Sequence, residues 1–135
     1  MRYEPTDPAI EALHPKSTVS LNLIVIRSSN LQKSERFYQA IGLQFIQEQH
    51  GNGPIHLVAK VGGTVFEIYP RGKGNDSTMT RLGFGVESLT AVISALEAIE
   101  VPVSHPPFQD QFGLRAVFID PDGHKVEITQ IDSIR

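Results

Sequence analysis

The chain has 135 residues, 40% of them hydrophobic and 20% charged, with a net charge of −3 and no cysteine. That length suits one domain with a real core, and the charge leaves no basic footprint for nucleic acid. Without cysteine, disulfides, thiolate metal sites and cysteine nucleophiles are excluded.

Residues 1–17 read as an N-terminal extension, with one short helix capped by Asp7 and begun by Pro8. Its prolines and carboxylates surround no apolar core run, so no signal peptide is expected. No later run approaches the length of a membrane span, and a cytoplasmic protein is expected. Order begins at LNLIVIRSSN, residues 21–30, a β-branched run suited to a strand. Asn30 caps a helix through LQKSERFYQAIG, whose Leu31, Phe37, Tyr38 and Ile41 share a face, and Gly42 ends it. LQFIQEQ and PIHLVAKV read as two further strands, and GGTVFEIYP, residues 62–70, as a tight turn and a third. RGKGNDSTMT, residues 71–80, has no apolar periodicity and reads as a linker.

The pattern then restarts. RLGFGVES is a strand with Gly83 and Gly85 in place of bulk on one face. Ser88 caps a helix in which Leu89, Val92, Ile93, Leu96 and Ile99 keep helical spacing. VPVSHPPF, broken by prolines, suits an edge or a loop. LRAVFID, the turn DPDG and KVEITQ close a hairpin, with Pro121 and Gly123 at positions that suit the turn. Asn30 and Ser88 stand 58 positions apart; Glu67 and Glu127 stand 60 apart, as do Gly63 and Gly123. An α+β fold of two βαβββ modules follows, residues 18–70 and 81–131, each sheet covered by its helix on one face.

Alternation along a strand turns Phe66 and Ile68 toward the helix and Val65, Glu67 and Tyr69 away from it. A hairpin centred between Gly62 and Gly63 pairs Val58 with Glu67 and His56 with Tyr69, so His56 and Lys60 share the face of Glu67. In the second hairpin Val126 and Ile128 pack inward and Glu127 faces out. The same rule sends Ala116 and Phe118 to the side of Glu127. Arg115 then points the other way, where Asp120 or Asp122 offers a structural ion pair.

SSNLQKSERFYQAIGL, GGTVFEIYP and above all DPDGHKVEI resemble the vicinal oxygen chelate superfamily, which includes glyoxalase I, bleomycin-resistance proteins and extradiol dioxygenases. The resemblance covers roughly residues 18–131, taken as a single domain. It implies an open trough with helices outside, a homodimer, and Glu67 and Glu127 lining the trough where the metal enzymes keep two carboxylate ligands. It also implies a further ligand, often histidine, on the first strand of each module, and those positions fall at Leu23 and Arg81. Leu23 has no donor atom, and the Arg81 cation would repel a divalent ion while attracting both glutamates. No metal cofactor is therefore expected, with the guanidinium taking its charge role. The alternative is a rebuilt site of His56, Glu67 and Glu127, joined by His50 from its loop, holding Zn, Ni, Fe or Mn. His50 and His105 otherwise read as solvated loop histidines.

The expected function is binding of a small organic molecule in the trough. Val25, Val58, Tyr69 and Phe118 would form apolar walls, Arg27, His56, Lys60 and Arg81 positive or switchable groups, and Glu67 and Glu127 acceptors. With Arg81 neutralising the glutamates, a ligand with an apolar body and an anionic or accepting end is favoured. The alternative is an enzyme of the same superfamily, a lyase, isomerase or dioxygenase, with the rebuilt metal site or with Glu67 or Glu127 as catalytic general base. Such a base needs a raised pKa, which Arg81 nearby would oppose. No GxSxG occurs, and GNGPIH and RGKGND lack the strand-to-helix setting of a phosphate loop. Neither a nucleic acid nor a membrane is an expected partner.

Overall fold

Short side chains fix where the helices start. The Asn30 side chain accepts the Lys33 N–H at 3.0 Å, and the Ser28 hydroxyl accepts the Asn30 N–H at 3.1 Å and shares a 2.6 Å hydrogen bond with Ser34. Such a cap contributes about 1 kcal/mol. At the other end Gly42 adopts φ 125°, and the Gly42 and Leu43 amides return to the Tyr38 carbonyl. Ser88 caps the second long helix in the same way, accepting the Ala91 N–H at 3.1 Å.

The computed structural model describes residues 8–11, 20–72, 80–110 and 113–131. The elements in chain order are α1 (Pro8–Glu11), β1 (Leu23–Ser28), α2 (Leu31–Ile41), β2 (Phe45–Glu48), β3 (His56–Val61) and β4 (Thr64–Pro70). Then follow β5 (Leu82–Val86), α3 (Leu89–Ala98), β6 (His105–Asp110), β7 (Gly113–Ile119) and β8 (Lys125–Gln130). Asp7, most of the extension and most of the linker lie outside the described residues.

Two four-stranded sheets result, ordered β1-β4-β3-β2 and β5-β8-β7-β6. In each, the first strand runs parallel to the last, which requires the crossover that α2 or α3 supplies. The expected α+β pair of βαβββ modules is the observed fold. The proline-bearing β6 is an edge strand, where missing amide donors cost least, and its pairing with β7 is irregular between His105 and Phe108.

The helix-facing side chains of both sheets form one core. Ile26, Phe37, Tyr38, Phe66 and Ile68 come from the first unit, and Leu89, Leu96, Val126 and Ile128 from the second. Phe84 of β5 joins the halves, its ring 6.0 Å from Phe66 and 6.1 Å from Tyr38. Truncating a buried Phe or Leu here to Ala would cost about 2–5 kcal/mol.

The first hairpin has the register expected from its Gly62–Gly63 turn, with Val58 opposite Glu67 and Lys60 opposite Val65. The second does not. Ile119 pairs with Lys125 and Val117 with Glu127, so Phe118 is fully buried beneath the helix and Arg115 shares the open face with Glu127. Phe118 is thus a core residue and no wall of an open trough. His124 is the cause: it belongs to the turn, and the added residue shifts every side chain on β7 to the other face.

Candidate functional site

The open face of the first sheet is laid out in rows by its register. Val25, Glu67, Val58 and Ile46 form the middle row across four strands. Glu67 is half-buried there, and among the described residues no ion pair reaches it. Leu23, Val65 and Lys60 form the row toward the hairpin tip.

Arg27, Tyr69, His56 and Glu48 form the row on the other side of Glu67. The Arg27 guanidinium lies over the Tyr69 ring, 5.3 Å from its centre, and the Tyr69 ring stacks on His56 at 4.0 Å and 9°. His56 is 1% exposed; its Nδ1 lies 3.2 Å from the Pro54 carbonyl oxygen and its Nε2 lies 3.5 Å from Glu48 Oε1. His50 curls back over the same carboxylate, its Nε2 3.1 Å from Glu48 Oε1. Glu48, His50 and His56 are the one group of three such side chains whose donor atoms converge among the described residues.

The second sheet treats its glutamate differently. Glu127 Oε2 is 3.8 Å from Arg81 Nε, and its Oε1 is 4.0 Å from Arg115 Nη1. Arg115 also lies over the Phe108 ring, 5.0 Å from its centre. Gly83 stands opposite Glu127 where Val25 stands opposite Glu67. Arg81 therefore pairs with one of the two glutamates expected to share it.

Asp120 and Asp122, offered above as partners for Arg115, instead join the two halves. Asp120 Oδ2 accepts from the Tyr38 hydroxyl at 2.6 Å and from His124 Nδ1 at 2.8 Å, while Oδ1 accepts the Asp122 and His124 amides. Burial and the Asp120 carboxylate hold the Tyr38 phenol proton in place well above its usual range. Asp122 Oδ1 accepts the Ser29 amide at 2.8 Å. This network was missed in the sequence, although a tyrosine on the buried face of a helix signals a need for a polar partner.

A groove of about 520 Å³ runs between the C-terminal part of α3 and α2, lined by Lys33, Arg36, Phe37, Ile99 and Glu100. It lies on the helix side of the molecule and contains none of the residues just described. A second, of about 380 Å³, is lined by Lys60 and Val61 of the first unit and Gly85, Val86 and Glu87 of the second.

The family model for the Glyoxalase/Bleomycin resistance protein/Dioxygenase superfamily matches residues 20–128. The chain belongs to that superfamily. Solved structures with this fold include a glyoxalase family protein from Enterococcus faecalis, at 26% identity and a TM-score of 0.61, over 83% of this chain and 98% of that one. TnmS3, an antibiotic binding protein from Streptomyces sp. CB03234, is similar at 21% identity and a TM-score of 0.66, over 84% and 98%. Lactoylglutathione lyase from Agrobacterium tumefaciens is similar at 17% and 0.60, over 84% and 95%. No curated protein matches the chain.

The metal that the superfamily's metal enzymes hold does not fit the positions expected for its ligands here. Leu23 offers no donor, and Arg81 places a cation 3.8 Å from Glu127. The rebuilt set of His56, Glu67 and Glu127 is not assembled either, because the His56 ring turns to Glu48 and His50. No described helix is long and apolar enough to cross a membrane.

Proposed function

We propose that the protein binds a small organic molecule on the open face of its first sheet, with Glu67 as the central polar contact. The observation that carries this reading is the asymmetry of the two glutamates: Glu127 lies between two arginines, while no ion pair reaches Glu67 among the described residues. An ionised carboxylate only accepts hydrogen bonds, so the preferred ligand has an apolar body and a donor group. This changes the expectation from sequence, which assigned Arg81 to both glutamates. Val25 and Val58 flank the carboxylate, Tyr69 presents a ring backed by the buried His56, and Arg27 and Lys60 stand on either side for an accepting substituent. The similarity to an antibiotic binding protein supports binding as the activity.

Thermal-shift screening of matched amines, alcohols and acids on one aromatic scaffold tests this, since a ligand selective for the native state raises its melting temperature. Amines and alcohols should stabilise most, and Glu67→Gln should remove at least about tenfold in affinity for the amine, the weight of one charge-assisted contact. An unchanged affinity in that variant would refute the role of Glu67.

A second reading draws on the same carboxylate. With no ion pair reaching it among the described residues, Glu67 is better placed than Glu127 to act as a general base toward a bound carbon acid. Turnover lost in Glu67→Gln with binding retained would select the enzyme. A homodimer is part of the proposal, because Leu23, Val25 and Ile46 are exposed on this face. Sedimentation should give twice the chain mass, and a monomer at micromolar concentration would refute it.

A further inference from the structure

We infer that Glu48, His50 and His56 form a binding site for a borderline divalent cation such as Zn²⁺ or Ni²⁺, at the β2–β3 edge of the first sheet. The positions differ from those where the superfamily's metal enzymes keep their ligands. All three residues sit on one hairpin, on the strand pair farthest from β1.

The geometry begins with the tautomer of His56. Its Nδ1 faces the Pro54 carbonyl oxygen at 3.2 Å, and a carbonyl only accepts, so Nδ1 carries the hydrogen. In the neutral ring Nε2 is then a bare lone pair. It is buried, hydrogen-bonds nothing among the described residues, and faces a carboxylate oxygen 3.5 Å away. Two lone pairs meeting in a buried position repel unless a positive charge stands between them. A histidine that donates one nitrogen to a backbone carbonyl and aims the other at a carboxylate has the orientation of a metal ligand.

The spacing agrees. Ligands at about 2.0–2.1 Å from a tetrahedral zinc ion lie about 3.3 Å from one another. Glu48 Oε1 is 3.1 Å from His50 Nε2 and 3.5 Å from His56 Nε2, and all three donor atoms lie within 4.8 Å of one another. Two imidazoles and one carboxylate suit zinc, nickel or iron better than magnesium or calcium.

The framework is already rigid. Glu48 and His56 are ladder partners, and the His56 ring is held against Tyr69. The connecting loop is closed by the Gly53 amide on the His50 carbonyl at 2.9 Å and by Gln49 Nε2 on the Gly53 carbonyl at 2.9 Å. His50 is the solvent-facing member, with a side chain 71% exposed against 1% for His56, so the ion enters from that side and keeps open positions for water or an exogenous ligand.

The test is titration of metal-free protein with Zn²⁺ by calorimetry, together with Co²⁺ substitution followed by visible absorption. One equivalent of Zn²⁺ should bind, and Co²⁺ should give the intense bands of a low-coordinate site. His50→Ala, an exposed change that leaves the core intact, should weaken binding at least about tenfold. Glu48→Gln should do the same, while His105→Ala in the second unit should leave it unchanged. Equal affinity in wild type and His50→Ala would place the metal elsewhere and overturn the proposal. So would a folded wild-type protein that takes up no Zn²⁺ at high micromolar concentration, in which case the three side chains share a proton instead.

Discussion

The two sheets share one topology and place a glutamate at the same point of the last strand, yet they handle it in opposite ways. In the second sheet Glu127 is enclosed by Arg81 and Arg115, and the neighbouring turn is tied to the first half through Asp120. In the first sheet the equivalent Glu67 lies between valines with no ion pair among the described residues, and the turn beside it is only Gly62 and Gly63, with Gly62 at φ 59°. Position 61, which pairs across its turn with Thr64, holds a partly buried valine where position 120, facing His124 across the longer turn, holds a buried aspartate. One repeat supplies the polar joint between the halves, and the other, on the function proposed above, offers its carboxylate to a ligand. A repeat equivalence therefore predicts placement well and chemistry poorly.

The sharpest way to break this comparison is Asp120→Ala. Four donors lose their acceptor in a buried position, and each such loss costs about 1–3 kcal/mol before water or rearrangement relieves it. A net destabilisation of about 3–5 kcal/mol is expected in urea unfolding. Val61→Ala, at the matching place in the first repeat, should cost only about 1 kcal/mol, the loss of part of one half-buried apolar side chain. Equal effects would mean that the two turns do the same job.

Next in size is Glu127→Gln, which leaves Arg81 and Arg115 without the charge between them. A loss of about 1–2 kcal/mol is expected, modest because both contacts are long and Arg81 is well exposed. The smallest effect should be Glu67→Gln, within about 0.5 kcal/mol of wild type in the same assay. A larger loss at Glu67 than at Glu127 would reverse the division of labour argued here.

The fold was readable because its signals were local: Asn30 and Ser88 as caps, Gly42 as a stop, and strands bounded by turns. The face of Glu67 was readable for the same reason, since a turn of two glycines leaves a single register. The face of Arg115 was not. A loop whose hydrogen bonds come from side chains has no length written in its residue types, and His124 entered the turn through its bond to Asp120. The rim cluster was half legible. His56 was placed on the open face, but the bend that returns His50 over Glu48 depends on hydrogen bonds within residues 49–53 that residue types alone do not specify.

The bond between Tyr38 and Asp120 joins residues 82 positions apart. Closing so long a loop is entropically expensive, so contacts of this kind form after the local hairpins and helices have done so. The joint then belongs to the descending side of the folding barrier, and its strength is felt in how slowly the native chain opens and hardly at all in how fast it forms. In kinetic terms the bond from tyrosine to aspartate is a brake on unfolding. Removing it alone with Tyr38→Phe, which leaves the turn bonds of Asp120 in place, should leave the refolding rate nearly unchanged while shortening the lifetime of the folded molecule.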